Sequence, residues 1–427
     1  MAPRFITFGE RKAKPVPVSE KTALRHNRWK RQILEIIRTT ENPSRASIKR
    51  ATGLSMESSL SLVEELLAEG LILPVGKEER GSAGRKATVL KINGDGCYFI
   101  GVRFSAGGLS GVCMNFDRSV IAFDEREFAA PPTARTMVDE VEVCIQRLMD
   151  RLGERKARLR GIGVGAPGII DPQTGVISRY VHIPDWRNVP LGPILQQRFH
   201  TPVYVEHGVK STARHILARQ PGSSFLFVQM GRGISMCVAV EGRILNGASY
   251  LAGEIGHMRV DGNDLPCECG KRGCLETMAA SGAILSAARQ AMDTPCFAAL
   301  RAATAQGRPL NMQTLCQLAD AGCPGCLDLV QKAGGGVACM LAAAMMVVNP
   351  DQVLMKGRLS ESQTFREQTR QALAQLCLPE ILKAARISYL PAHDQMDALG
   401  AAEIPFSREF AVEQNGNAAQ RAFEASL

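Results

Sequence analysis

GEIGHMRVDGNDLPCECGKRGCLE, residues 253–276, is the stretch on which the reading of this chain turns. Gly253-Glu254-Ile255-Gly256-His257 leads, after nine residues, into Cys267-Glu268-Cys269-Gly270-Lys271-Arg272-Gly273-Cys274-Leu275-Glu276. His257, Cys267, Cys269 and Cys274 place one imidazole and three thiolates within eighteen residues. That is the ligand set of a closed tetrahedral zinc site, with all four positions filled by protein. Gly270 and Gly273 let so short a loop fold around one ion. Such a zinc is structural, holding together a loop that lacks a core of its own. The other ten of the thirteen cysteines are scattered through apolar stretches and read as buried small hydrophobes.

Around this loop the chain consists of short apolar strands, glycine turns and alanine-rich helices. From Cys97 onward, Tyr98–Val102 and Leu109–Asn115 read as paired strands, with a third near 120–128 and a helix over about 133–152. Arg160–Gly165 and Val203–Val205 read as strands, and Ser224–Met230 and Met236–Val240 as a pair around a glycine turn. A long helix of small residues near 333–348 ends at Asn349-Pro350, and Val353–Met355 is a further strand. The expectation is a two-lobed α/β domain with one strand-rich platform per lobe.

Upstream, the charge is uneven. Residues 1–91 hold 18 Lys+Arg and 10 Asp+Glu, a net of +8 out of +9 for the 427-residue chain. A polyanion is the natural partner for such a segment. Within it, residues 1–19 read as a disordered lead-in, followed by a helix over about 21–39 with Ile33, Leu34, Ile36 and Ile37 as its apolar stripe. Ser44 is an N-cap for a short helix at 45–51, Gly53 makes a tight turn, and Ser55 caps a third helix at 56–69 that ends at Gly70. Leu71–Leu73 and Ala87–Ile92 then read as two strands joined by a polar loop. This is the order of a winged helix-turn-helix over residues 20–92, whose third helix enters the DNA major groove. Arg45, Lys49 and Arg50 on the second helix, and Arg80, Arg85 and Lys86 on the wing, are the expected phosphate contacts. Ser55, Met56, Glu57 and Ser58 open the third helix without any of the usual base-reading Arg, Lys, Asn or Gln. Specificity therefore leans on the wing and on DNA shape.

The run GEIGHMRV…CECGKRGCLE resembles the signature of the ROK family of repressors, open reading frames and sugar kinases. Further matches are GRKATVLKIN and FIGV near 84–102, GIGVGAPGIID at 161–171, GRGI…EGRILNGASYLAGEIGH at 231–257, and VNPDQVLMKG with LGAA near 348–402. The winged helix is similar to that of the family's repressors, so the resemblance spans about residues 20–403. It implies an actin-like, ribonuclease-H-like two-lobed fold over 93–403, with a tail at 404–427. It also implies a sugar between the lobes and a homodimer or homotetramer built through the large domain. By resemblance, Glu254, His257 and Glu276 match positions that contact a hexose, His257 serving both metal and sugar, and His207 replaces an asparagine that touches the ring.

The same resemblance shows what is lost. Family kinases place an Asn-Asp pair after the strand that matches Pro202–Glu206, and that aspartate is the catalytic base; here the pair is His207-Gly208. The first phosphate turn is Arg103-Phe104-Ser105-Ala106-Gly107, without its aspartate. The second is Gly231-Arg232-Gly233-Ile234-Ser235, and a later glycine pair is Lys356-Gly357. A glycine cannot act as a base, and bulky turns keep backbone amides from phosphate. The expectation is a cytoplasmic, non-enzymatic transcription repressor of carbohydrate genes. Its partners are double-stranded operator DNA and a sugar or sugar-phosphate effector. No run of 18 uncharged apolar residues suggests a membrane span, and the basic N-terminus has no apolar core for a secretory signal. The alternatives are an active ATP-dependent sugar kinase, and a regulator released from DNA by a protein partner.

Overall fold

Two serines set the frame of the N-terminal part in the computed structural model, which describes residues 18–77, 88–392 and 395–410. After helix α1 (Val18–Thr39), Ser44 caps α2 (Arg45–Thr52) in a reciprocal box with Ser47. The helix stops at Gly53, whose φ of 69° is left-handed. Ser55 accepts from the Ser58 amide at 3.2 Å and starts α3 (Met56–Ala68). Strands β1 (Ile72–Lys77) and β2 (Thr88–Ile92) pair antiparallel. Ile33, Leu34, Ile37, Ile48, Leu62, Val63, Leu66 and Leu90 form the buried centre of these elements. Burial of each large apolar side chain contributes roughly 1.5–3 kcal/mol. Lys30 joins α1 to α3 through Glu65 at 2.9 Å and through Glu69.

By its contacts the chain divides into two units. One runs up to Cys97, with Phe116–Arg118 and the chain from Arg408; the other is Tyr98–Asn115 with Ser119–Ser407. The second unit contains one topology twice. Its first lobe holds β3 (Tyr98–Ser105), β4 (Gly108–Asn115), β5 (Val120–Glu127), α4 (Ala134–Leu152), β6 (Leu159–Ala166), a small sheet of β7 (Ile169–Asp171), β8 (Val176–Arg179) and β9 (Arg187–Val189), then α5 (Leu191–Phe199) and β10 (Val203–His207). The second lobe holds α6 (Gly208–Arg219), β11 (Phe225–Met230), β12 (Ile234–Val240), β13 (Arg243–Ile244), α7 (Glu276–Ala279), α8 (Ser281–Gln290), α9 (Ala298–Ala305), α10 (Met312–Asp320), α11 (Pro324–Val348), β14 (Gln352–Lys356), α12 (Gln363–Leu376), α13 (Pro379–Ala384), β15 (Arg386–Leu390) and α14 (Met396–Phe410). The sheets are ordered β10-β6-β3-β4-β5 and β13-β12-β11-β14-β15. In each, three strands meander antiparallel and two more join parallel to the first. This repeated five-stranded unit is the actin-like, ribonuclease-H-like arrangement.

The last helix lies on the first-lobe sheet through glycines. A Cβ on Gly163 would sit 1.9 Å from the Ala401 carbonyl oxygen, and one on Gly101 2.2 Å from that of Ala398. Only bare backbone permits so close a helix–sheet contact. The tail expected from 404 accordingly starts later: Ile404, Pro405 and Phe406 are buried within α14, which continues to Phe410. The lead-in at 1–17, the wing residues Arg80, Arg85 and Lys86, and the end of the tail from 411 lie outside the described residues. By length and composition α11 is apolar enough to cross a membrane. Its small residues Ala333, Gly334, Gly336 and Ala338 are instead buried in the second-lobe core.

Candidate metal centre, ligand cleft and nucleic-acid interface

The cysteine loop is a knuckle held by backbone hydrogen bonds. The Cys267 amide donates to the Lys271 carbonyl at 2.8 Å, and the Gly270 amide donates back to Cys267 at 2.9 Å. Gly270 and Gly273 have φ of 91° and 79°, and a Cβ on Gly273 would lie 2.5 Å from the Asn263 carbonyl oxygen. The Val260 amide donates to Gly273 and the Leu275 amide to Met258, both at 2.9 Å, which brings Cys274 beside His257. One ligand atom each from His257, Cys267, Cys269 and Cys274 then lies within 4.8 Å of all the others. Cys267 Sγ is 3.6 Å from His257 Nδ1, and Cys269 Sγ is 3.7 Å from Cys274 Sγ. A tetrahedral zinc with Zn–S of about 2.3 Å and Zn–N of about 2.05 Å has edges of about 3.6 Å (S–N) and about 3.8 Å (S–S). The four residues fit that ion. His257 Nε2 is 3.8 Å from Glu276 Oε2, so a carboxylate lies beside the ring.

Glu276 also lies beneath the second glycine turn. Cβ atoms on Gly233 and Gly256 would each come within 3.1 Å of its carboxylate. Burial, with Glu254 and Glu268 nearby, pushes its carboxyl up to about 7. Glu254 is raised for the same first reason, burial, and its Oε1 is 3.7 Å from His207 Nε2. Burial, reinforced by Arg103 and Lys210, holds the His207 imidazole down at about 4. His207 with Glu254, and His257 with Glu276, thus form two neighbouring pairs, and the charge of Glu254 is felt at Glu276.

Arg103 was not among the site residues read from the sequence, yet it lies beside His207 and Gly208. A Cβ on Gly208 would lie 2.5 Å from Arg103 Nε and 2.8 Å from Nη2. The place next to His207 is therefore occupied by a guanidinium. The first phosphate turn is used internally: the Ala106 amide donates to Tyr180 Oη at 2.9 Å and the Gly107 amide to Ser105 Oγ at 3.3 Å. Arg232 brings its Nε within 3.4 Å of the Cβ position of Gly107. Lys356 is buried, its Nζ 3.3 Å from Asp397 Oδ2. The sequence signal was the arginine in place of an acid in the first turn, but nothing local told that it would reach Gly208. A separate cavity of 340 Å³ is lined by Arg179, Tyr180, Pro184, Trp186, Arg187 and Glu268.

On the N-terminal unit, Lys49 and Arg50 are exposed at the end of α2, and Ser55, Met56, Glu57 and Ser58 are exposed at the start of α3. The Ser55 hydroxyl caps the helix and donates to Ser58 Oγ at 2.9 Å. Arg45 is half-buried and paired with Glu64 on α3.

A family model, the ROK family, matches residues 101–405. The chain belongs to the ROK family. The DNA-binding transcriptional repressor Mlc of Escherichia coli is 27% identical over 355 residues, covering 82% of this chain and 83% of Mlc. The xylose repressor of Bacillus spizizenii is 24% identical over 348 residues, covering 81% of this chain and 85% of the repressor. Among solved structures, a ROK family transcriptional regulator homologous to Mlc aligns with TM-score 0.75 at 22% identity, covering 91% of this chain and 98% of its own. A ROK family glucokinase from Streptomyces griseus, in complex with glucose and AMPPNP, aligns with TM-score 0.62 at 23% identity, covering 72% and 98%. The regulator aligns over more of this ROK chain than the kinase does, and both likenesses are of fold. The relatives are named repressors, one of them for a sugar.

Proposed function

We propose that this ROK chain is a DNA-binding transcription repressor of carbohydrate genes whose kinase-like domain senses a hexose and transfers no phosphate. Residues 20–92 form the DNA-binding domain, with Lys49, Arg50 and Arg45 meeting phosphates from α2 and the start of α3 entering the major groove. Arg80, Arg85 and Lys86 extend the phosphate contacts on the wing. Residues from 93 to the end of α14 bind the effector and assemble the oligomer. His257, Cys267, Cys269 and Cys274 hold a structural zinc, which would fix the loop that carries Glu254 and Glu276 on either side. Those carboxylates, with His207 and His257, take the sugar hydroxyls.

The observation that carries the non-enzymatic reading is the Arg103 guanidinium against Gly208. Transfer to a sugar hydroxyl needs a base at the acceptor and amides with magnesium around the γ-phosphate. At this position there is a permanent cation instead of a carboxylate, and the Ala106 amide is bound to Tyr180. Restoring the acid as Gly208→Asp would place a carboxylate on that guanidinium, which lowers its pKa and weakens it as a base. A coupled ATP-consumption assay with glucose, N-acetylglucosamine, N-acetylmannosamine, allose and fructose is expected to show no turnover for the wild type or Gly208→Asp. Turnover above that of a Glu254→Ala control would overturn the reading.

A further inference from the structure

Tyr250 has a φ of 62°, a left-handed backbone that a bulky side chain rarely adopts. It lies between β13 and Glu254, in a segment where Gly247 at 73° and Gly253 at 96° take up the same hand without a Cβ. Gly247, Ala248, Ser249 and Leu251 around it are exposed, while Tyr250 is half-buried. Two groups hold it in this conformation. Lys210, in the first turn of α6, donates its Nζ to the Tyr250 carbonyl at 2.8 Å and to the Asn246 carbonyl at 3.3 Å. At the far end of the side chain, Tyr250 Oη accepts from Gln173 Nε2 at 2.9 Å. The Ala252 amide donates to the Asn246 carbonyl at 3.2 Å and closes the segment on itself. The result is an exposed flap pinned at its base to α6 and held at its tip by one side chain.

Gln173 belongs to the other lobe. It sits in the turn between β7 and β8, which Asp171 shapes by accepting from the Gln173 amide at 3.0 Å and from the Thr174 hydroxyl at 2.8 Å. The Gly192 amide donates to the Gly175 carbonyl at 3.0 Å and ties the turn to α5. The bond from Gln173 to Tyr250 therefore joins a preformed turn of the first lobe to the flap of the second. Four residues after Tyr250, Glu254 brings its Oε1 to 3.7 Å from His207 Nε2 at the end of β10. The flap thus leads directly into the residues proposed to meet the sugar. Unfavourable backbone held by contacts at both ends is characteristic of segments that grip or move. A lone exposed hydrogen bond is weak enough to open and close while the protein stays folded.

We propose that Tyr250 and Gln173 form a clasp between the two lobes that must open for the effector to enter or leave. This rests on the hexose site proposed above and adds the step that admits its ligand. Hydrogen–deuterium exchange of the full zinc-loaded chain, followed over residues 169–177 and 245–254, tests the clasp with no sugar added. Tyr250→Phe, which removes only the hydroxyl, and Gln173→Leu should each speed exchange about threefold or more in both segments, the scale of one such bond. The double variant should go no further than either single one. Gln173→Glu, whose carboxylate accepts from the tyrosine hydroxyl, should restore the wild-type pattern. Melting temperatures check that each variant is folded. Stopped-flow binding of glucose, N-acetylglucosamine, N-acetylmannosamine, allose and fructose then tests the gate. For a sugar that binds, association and dissociation should both quicken about threefold or more in Tyr250→Phe, with Kd little changed. Exchange that changes in one segment only, or in neither, overturns the clasp and leaves the hexose site standing. Coupled exchange with unchanged sugar rates overturns the gate. Binding of no sugar to the wild type overturns the hexose site and the gate with it.

Discussion

His207 ends β10 in a buried, cationic setting. Its imidazole is held at about 4, below the ordinary 6.5, by burial first and then by Arg103 and Lys210. In the unfolded chain it takes up a proton as pH falls through 6.5, while the folded form resists until near 4. The stability it carries is therefore full above pH 6.5 and is lost on acidification toward pH 4, a span of roughly 3 kcal/mol. Urea unfolding of zinc-loaded wild type and His207→Gln between pH 7.5 and 4.5 should show the wild type losing more stability than the variant. Parallel loss in both would contradict this assignment. That no carboxylate follows β10 was plain in the sequence from His207-Gly208. The guanidinium that fills the place was not, because Arg103 lies on β3 and meets Gly208 only after β6 is inserted between β3 and β10.

Among elements, the most legible were those with local chemistry. Ser44, Gly53, Ser55 and Gly70 punctuate the first helices because caps are satisfied within a few residues. The cysteine loop was legible for the same reason, its ligands lying close in sequence. The end of α14 was not, since Pro405 inside a helix normally stops it. Here a Cβ on Gly161 would lie 2.6 Å from Pro405 Cβ, so the proline ring sits directly on the first-lobe sheet. Tertiary packing decided that boundary. The knuckle itself has few apolar contacts: Cys269 is exposed and Cys267 half-buried. On the proposed zinc reading, the ion adds the order that apolar packing does not supply. Purified protein should contain about one zinc per chain. Cys267→Ser should lower both metal content, measured by atomic absorption, and melting temperature. An unchanged melting temperature in a metal-free variant would refute the structural role.

Over the whole molecule, charge and architecture divide the work. Nearly all the excess positive charge precedes residue 92, in front of a ROK domain that spans residues 101–405. The α/β pattern and the signature motifs made the two-lobed fold readable. The proposed role of this chain is to regulate transcription by binding DNA through its first domain. Fluorescence anisotropy of the full chain on duplex from upstream of its own gene, from 50 to 300 mM salt, tests it most directly. Tight binding that falls steeply with salt is expected, and weaker binding with Lys49→Ala or Arg50→Ala, each lowering the log–log salt slope by about one. Binding unchanged by both substitutions, or no salt-dependent binding, would contradict it.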